Sequence, residues 1–167
     1  MQSLLPPELV ELAGKVVSGN AAIGRKVTLA ESCTGGLVSA ALTEIAGSSA
    51  VFERGFVTYS NKAKKELLEV NDDLIATFGA VSVAVAWAMA RGALVKSDAD
   101  ISVAITGVAG PGGGSDKKPV GTVVFACAKK GDDPEQVVAE MKMFDADGSR
   151  ADIRLQAALC ALELLLP

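Results

Sequence analysis

The sequence predicts an α/β domain: a mixed, mostly parallel sheet covered by helices on both faces. Short β-branched or apolar runs, Lys26-Val27-Thr28-Leu29-Ala30, Gly55-Phe56-Val57-Thr58-Tyr59 and Ile101 to Thr106, alternate with stretches of helical spacing, as in strand-helix-strand units. Two more runs, Val120 to Ala128 and Gln136 to Phe144, flank the turn Lys129 to Glu135 and read as a hairpin. A chain of 167 residues that is 50% hydrophobic can fill one core, so residues 1–167 are expected to form a single domain.

The elements follow in order. Pro6 and Pro7 open a first helix with Leu9, Leu12, Ala13, Val16 and Val17 on one stripe, ended by Gly19-Asn20. After the first strand, Leu37, Ala40, Ala41 and Ile45 recur at helical spacing, and Ala46-Gly47-Ser48-Ser49 forms a turn. The second strand lies within Val51 to Ser60, and Asn61 is the expected N-cap of a helix from Lys62 to Val70. A helical region follows, longest from Val81 to Lys96, and a last helix is expected from about Ser149 to Leu166.

Composition narrows the function classes. A net charge of −4 and 4% aromatic residues suit neither phosphate-backbone binding nor base stacking, so no direct nucleic-acid binding is expected. Met1 to Pro7 lacks the basic and apolar regions of a signal peptide, and no run reaches membrane-spanning length. A cytoplasmic protein with no membrane association is the expectation. Cys33, Cys127 and Cys160 are too widely spaced for a zinc site or redox pair, so no metal is expected, and Cys127 and Cys160 read as small buried hydrophobes.

The chemistry-bearing stretch is Ala30-Glu31-Ser32-Cys33-Thr34-Gly35-Gly36, where a strand gives way to a helix. Backbone N–H groups at such a junction can hold a phosphate or stabilise an oxyanion. The chain contains no histidine, so an activated Ser32 needs another base. Among Lys62, Lys64 and Lys65, only Lys64 lies three and four residues before Leu67 and Leu68, on the face those leucines define. An inward lysine in a first helical turn is desolvated and close to the positive helix end, and both disfavour its ammonium.

Simpler readings stand beside these. Ser32 is equally an N-cap serine, and Lys64 a lysine whose stem crosses apolar surface with its charge in water. Glu31 either orients Lys64 or interacts with the helix N-terminus, and Cys33 is a weaker nucleophile candidate for want of an imidazole. Tyr59 either donates to substrate or Ser32, or is an ordinary strand aromatic. Ser32, Asn61 and Thr106 are expected on one rim, beyond the C-terminal ends of the first three strands.

The loop from Thr106 to Ser115 is rich in glycine, Gly107 and Gly110 among them. It is suited to wrapping a phosphate with backbone N–H groups, or to serving as a flexible connector. Arg150 and Arg154 lie four apart on one helical face, as anion ligands or as partners of Asp147 and Asp152.

With these residues in view, the chain resembles the CinA C-terminal domain family, whose stand-alone members are nicotinamide mononucleotide amidases. The similarity rests on Ala30 to Gly36, Gly47-Ser48-Ser49, Gly55 to Asn61, Gly79-Ala80-Val81-Ser82, Gly107-Val108-Ala109-Gly110-Pro111 and Lys118 to Val123, in that order over nearly the whole chain. The resemblance implies a three-layer α/β/α sandwich and hydrolysis of the nicotinamide carboxamide to an acid and ammonia, without a cofactor, in pyridine-nucleotide salvage. It implies Ser32 as nucleophile and Lys64 as base; Tyr59 joins them as an expected catalytic residue only from its place beside the second strand-to-helix junction.

Cys33, Thr34, Gly35, Gly36, Ser49, Asn61, Thr106, Gly107, Gly110, Arg150 and Arg154 are the expected substrate contacts. The chain departs from the family pattern at Gly112, often Asp, and at Phe78, where some relatives carry His. The approach from Phe144 to Arg150 is also longer than the family's Gly-x-Arg pattern. The small-molecule partner is thus a nucleotide, and a homo-oligomer is compatible with the sequence. The alternative from another class is a non-catalytic nucleotide- or partner-binding domain, as in relatives fused to proteins linked to competence and DNA damage.

Overall fold

The protein is described here by a computed structural model of residues 3–145 and 147–167. Met1 and Gln2 of the N-terminal segment, and Ala146 in the approach to the last helix, lie outside the described residues. Helix α1 (Pro7–Ala22) precedes β1 (Val27–Glu31), α2 (Leu37–Thr43) and β2 (Phe52–Val57). Helices α3 (Asn61–Leu68), α4 (Asp72–Phe78) and α5 (Val83–Val95) then lead to β3 (Ile101–Gly107), the hairpin β4 (Thr122–Lys129) and β5 (Val138–Met143), and α6 (Arg150–Leu164).

The sheet order is β2-β1-β3-β4-β5. Strand β1 pairs in parallel with β2 on one side and β3 on the other, while β4 is antiparallel to both β3 and β5. Four strands therefore run one way and β4 alone runs against them. Right-handed crossovers from β1 outward to β2, and from β2 back over β1 to β3, must pass on opposite faces of the sheet. That requirement produces the three layers.

On one face α1, α2 and α6 cover Val27, Leu29, Val103, Ile105 and Phe125. On the other, α3 and α5 cover Ala30, Ala104, Val124 and Ala126. The second face is lined by small side chains, so α5 settles close, and the buried Ser102 hydroxyl donates to the Ala90 carbonyl at 2.6 Å. No described helix is long and apolar enough to cross a membrane.

Several local expectations are corrected. Helix α1 continues past Gly19-Asn20 because Asn20 is buried and its amide donates to the carbonyls of Val16 and Leu165. The N-cap of α3 is Ser60, whose hydroxyl accepts from Ala63 N, and Asn61 is the first helical residue. Leu67 is exposed, so Leu68 alone marks the inward face of α3. Cys127 and Cys160 are half-buried at the margin of the core rather than inside it.

Helix α3 is held against α5 by one close approach. A Cβ built on Gly92 would overlap the Leu68 carbonyl oxygen, so the contact excludes any larger residue. Gly92→Ala is expected to force the two helices apart and to destabilise the fold by about 1–3 kcal/mol in chemical denaturation. Unchanged stability would show that the interface is not tightly packed.

Candidate active site

The parallel register brings three chain segments to one rim. Glu31 lies opposite Val57 on one side and Ile105 on the other, and the ladder continues one step, with Thr58 N donating to Glu31 O and Ser32 N to Ile105 O. Ser32, Thr58 and Thr106 are therefore neighbours at the C-terminal ends of β1, β2 and β3. The chain leaves β1 toward one face and β2 toward the other, so a crevice opens between the two connections, as at the switch points of open α/β sheets.

Lys64 fills that crevice from below. Four residues beyond the Ser60 cap, it is only 1% exposed. Its Nζ lies 2.9 Å from Ser32 Oγ, 2.8 Å from the Thr58 carbonyl oxygen and 3.3 Å from that of Tyr59. Desolvation by burial pushes its pKa below the ordinary 10.5, with the nearby Cys33 sulfur acting in the opposite direction. Lys62 and Lys65 remain outside, paired with Glu66 and Asp72. The Thr58 hydroxyl is buried with no hydrogen-bond partner among the described residues.

The partners of Lys64 suit either protonation state. A neutral amine has two N–H groups for the two carbonyls and a lone pair to accept from the Ser32 hydroxyl. The ammonium has three N–H groups for the same three oxygens. Proton transfer from Ser32 then changes one hydrogen's position and requires no rearrangement, the property that makes a polar site preorganised.

Glu31 is also buried, but strand alternation sends it to the α2 face, away from Lys64. Its carboxylate accepts from the N–H groups of Gly36, Val38 and Ser39 and from the Ser39 hydroxyl, at 2.7–3.2 Å. Glu31 is therefore the anionic cap of α2. Ser32 is not an N-cap: its backbone N and O lie in the ladder and the following turn, and its side chain faces Lys64. The Cys33 thiol is buried, and its pKa is pushed up to about 11, chiefly by desolvation. It is uncharged near neutrality and not a competing nucleophile.

Above the serine and lysine is a cavity of about 190 Å³ lined by Ser32, Cys33, Tyr59, Lys64, Thr106 and Arg150, with Asn61 and Gly107 also on its wall. Among the described residues its lining carries two basic side chains, Lys64 and Arg150, and no carboxylate. At the mouth, Arg150 donates to the Gly110 carbonyl at 2.6 Å and to the Tyr59 hydroxyl at 3.1 Å. The Tyr59 hydroxyl is thus turned toward Arg150, not Ser32, and retains its own proton for a ligand. Thr106 is buried and donates to the Ala80 carbonyl at 2.9 Å.

Six expected contacts stand apart from this wall: Thr34 is buried, Gly110 meets the site through its carbonyl, which accepts from Arg150, and Ser49, Gly35, Gly36 and Arg154 lie elsewhere. Ser49 lies in the turn Ser48–Ala50 before β2, at the opposite end of a six-residue strand, roughly 20 Å of extended chain from the rim. Gly35 and Gly36 carry the chain from Ser32 into α2 with φ of 58° and 94°, conformations that favour glycine. Arg154 points inward, its Nε donating to the Cys33 carbonyl at 3.1 Å and its Nη2 to the Thr34 carbonyl at 2.9 Å.

The alternative arginine pairing with Asp147 and Asp152 does not form among the described residues: Asp152 instead completes a capping box with Ser149. Sequence reasoning missed the Thr58 carbonyl as a lysine partner. The signal was present in register, because Thr58 follows β2 as Ser32 follows β1.

Comparison with known proteins agrees with this architecture. Residues 9–167 match the family model of the CinA C-terminal domain. The chain is 49% identical over 158 residues to the nicotinamide-nucleotide amidohydrolase PncC of Enterobacter agglomerans, covering 95% of this chain and 93% of that protein. It is 48% identical, with the same coverage, to PncC of Escherichia coli K12. The crystal structure of the competence/damage inducible protein CihA from Agrobacterium tumefaciens superposes with a TM-score of 0.93 at 48% identity, over 98% of this chain and 97% of that one. Shared sequence along nearly the full length and a common fold make this chain a member of the CinA C-terminal domain family.

Proposed function

We propose that the protein is an amidohydrolase that converts nicotinamide mononucleotide to nicotinic acid mononucleotide and ammonia, in pyridine-nucleotide salvage. The observation that carries the reading is the buried Lys64 amine 2.9 Å from Ser32 Oγ, at the floor of a cavity that has Arg150 and no carboxylate among its described lining residues. Nearly half-identical relatives named for nicotinamide-nucleotide amidohydrolysis support the substrate class.

In this reaction Ser32 Oγ attacks the carboxamide carbon while its proton passes to Lys64 Nζ. The tetrahedral oxyanion is stabilised by N–H groups after Ser32. Its collapse breaks the C–N bond as Lys64 returns the proton to nitrogen, releasing ammonia and leaving an ester on Ser32. Water then attacks the ester, giving its proton to Lys64, and Ser32 Oγ is reprotonated as the acid departs. The cavity is smaller than the ~300 Å³ of ordinary ligand clefts, which suits a flat pyridine carboxamide with the ribose phosphate across the mouth, toward Arg150 and the glycine loop.

Ser32→Ala is expected to lower kcat for ammonia release by at least about a thousandfold, with the mononucleotide still bound. Near-parental turnover would remove Ser32 as the nucleophile, and a parent that binds the mononucleotide without releasing ammonia would make this a binding domain.

Lys64 can take the serine proton only when neutral. The acidic limb of kcat/KM should therefore rise about tenfold per pH unit and level off below pH 10.5, the ordinary lysine value from which burial displaces it. Lys64→Arg keeps the charge but cannot release its proton. It should lose about a hundredfold or more in kcat together with that limb, and a retained limb would assign it to another group.

Binding energy from the phosphate should reach the chemical step. Nicotinamide riboside is expected to show a kcat/KM at least about tenfold lower, equivalent to about 1.4 kcal/mol. Equal values for riboside and mononucleotide would show that the phosphate is not read.

A further inference from the structure

The turn that carries Ser32 has three consecutive peptide planes, and each carbonyl is held. The Ser32 carbonyl accepts from Gly35 N at 3.0 Å. The Cys33 and Thr34 carbonyls accept from Nε and Nη2 of the same guanidinium, that of Arg154, at 3.1 and 2.9 Å. In a trans peptide the N–H points opposite to the carbonyl. Holding the Ser32 carbonyl therefore aims the Cys33 N–H, holding the Cys33 carbonyl aims the Thr34 N–H, and holding the Thr34 carbonyl aims the Gly35 N–H that closes the turn.

Neither the Cys33 nor the Thr34 N–H donates to another described residue, although the Cys33 N–H lies against its own thiol sulfur. These two donors immediately follow the serine, and each lies on the reverse side of a fixed plane.

We propose that Arg154 is a positioning residue for catalysis: its two-point grip on the Cys33 and Thr34 carbonyls orients the N–H groups that stabilise the oxyanion. The inference rests on the amidohydrolase reading for its substrate, but not for its test. Arginine suits the task because its fork fixes two acceptors at once and its charge polarises both peptides, making their N–H groups stronger donors. The guanidinium also lies 3.5 Å from where a Gly35 Cβ would stand, so the turn and the side chain are fitted to each other. Arg154 thereby differs from Arg150, one helical turn earlier, whose guanidinium reaches the cavity mouth.

The test compares the parent with Arg154→Lys and Arg154→Met on three substrates: nicotinamide mononucleotide, nicotinamide riboside and the activated ester p-nitrophenyl acetate. Because removal of an oxyanion donor itself costs about a hundredfold or more, loss of its orientation is expected to lower kcat about ten- to a hundredfold. The loss should be smaller for lysine, which keeps the charge and one donor, and the KM for the mononucleotide should stay within about threefold. The acidic limb of the pH profile should not move, since Lys64 is untouched.

The fold loss should be the same for mononucleotide and riboside. A loss confined to the mononucleotide, or expressed in KM, would make Arg154 a phosphate ligand and overturn the proposal, as would unchanged kcat in Arg154→Met.

The ester reports acylation of Ser32 without the nucleotide, and its reaction should vanish in Ser32→Ala and fall in each arginine variant by the factor that variant shows on the mononucleotide. A parent active on the ester but not on the mononucleotide would reject the proposed substrate while the ester rates still decide the role of Arg154. A parent inactive on both would overturn the positioning role as well. Thermal unfolding of Arg154→Lys serves as the fold control: a folded variant with parental ester rates also overturns the proposal.

Discussion

An amine with almost no contact with water, held within hydrogen-bonding distance of a serine, is the constraint around which this rim is built. Burial disfavours the charged form of Lys64, yet the site must still accept a proton there. Two backbone carbonyls resolve the conflict, because they satisfy the neutral amine without adding a full negative charge that would hold it permanently ionised. Those carbonyls belong to Thr58 and Tyr59, directly after β2, so their position depends on the β1-β2 register. The amine is set by the Ser60 cap at one end of α3 and by the Leu68 and Gly92 contact at the other.

Charge is partitioned across the sheet by strand alternation. Glu31 precedes Ser32, and a carboxylate on the Lys64 side would have stabilised the ammonium and weakened the base. On the α2 side the same carboxylate serves the helix, accepting three backbone N–H bonds at the positive end. The use of Glu31 as a cap also relieves Ser32 of that role. A serine at a strand-to-helix junction commonly spends its hydroxyl on the first helical turn; here that acceptor is supplied one residue earlier.

Much of this was legible in the sequence, for identifiable reasons. The alternation of strand and helix periods announced the layers, and the missing histidine directed attention to lysine. The phase of α3 selected Lys64, although only Leu68 of the two leucines proved to mark the inward face. The role of Glu31 was decidable as well, since it shares a face with Leu29, against α2.

Other features were not legible, because they depend on relations between distant segments. Nothing local places Ser49 at the far end of β2, and Ser60 and Asn61 are nearly equal as caps by residue type. The Thr58 and Tyr59 carbonyls are backbone groups, which side-chain motifs do not display.

The two arginines show the same limit from another direction. Arg150 and Arg154 share a helical face, and spacing alone offers both as ligands. The axis of α6 relative to β1 separates them: one turn reaches the cavity mouth, while the next lies under the Ser32 turn. The serine and lysine both come from the first 64 residues, but the clamp on the serine turn arrives 121 residues after Cys33 in the chain. The hairpin β4-β5 returns the chain to the face where α1 and α2 pack, and α6 completes that layer. Covering the first face with α6 is thus the same structural event as fixing the peptide planes after Ser32, and it couples the reactive turn to the packing of the C-terminal helix.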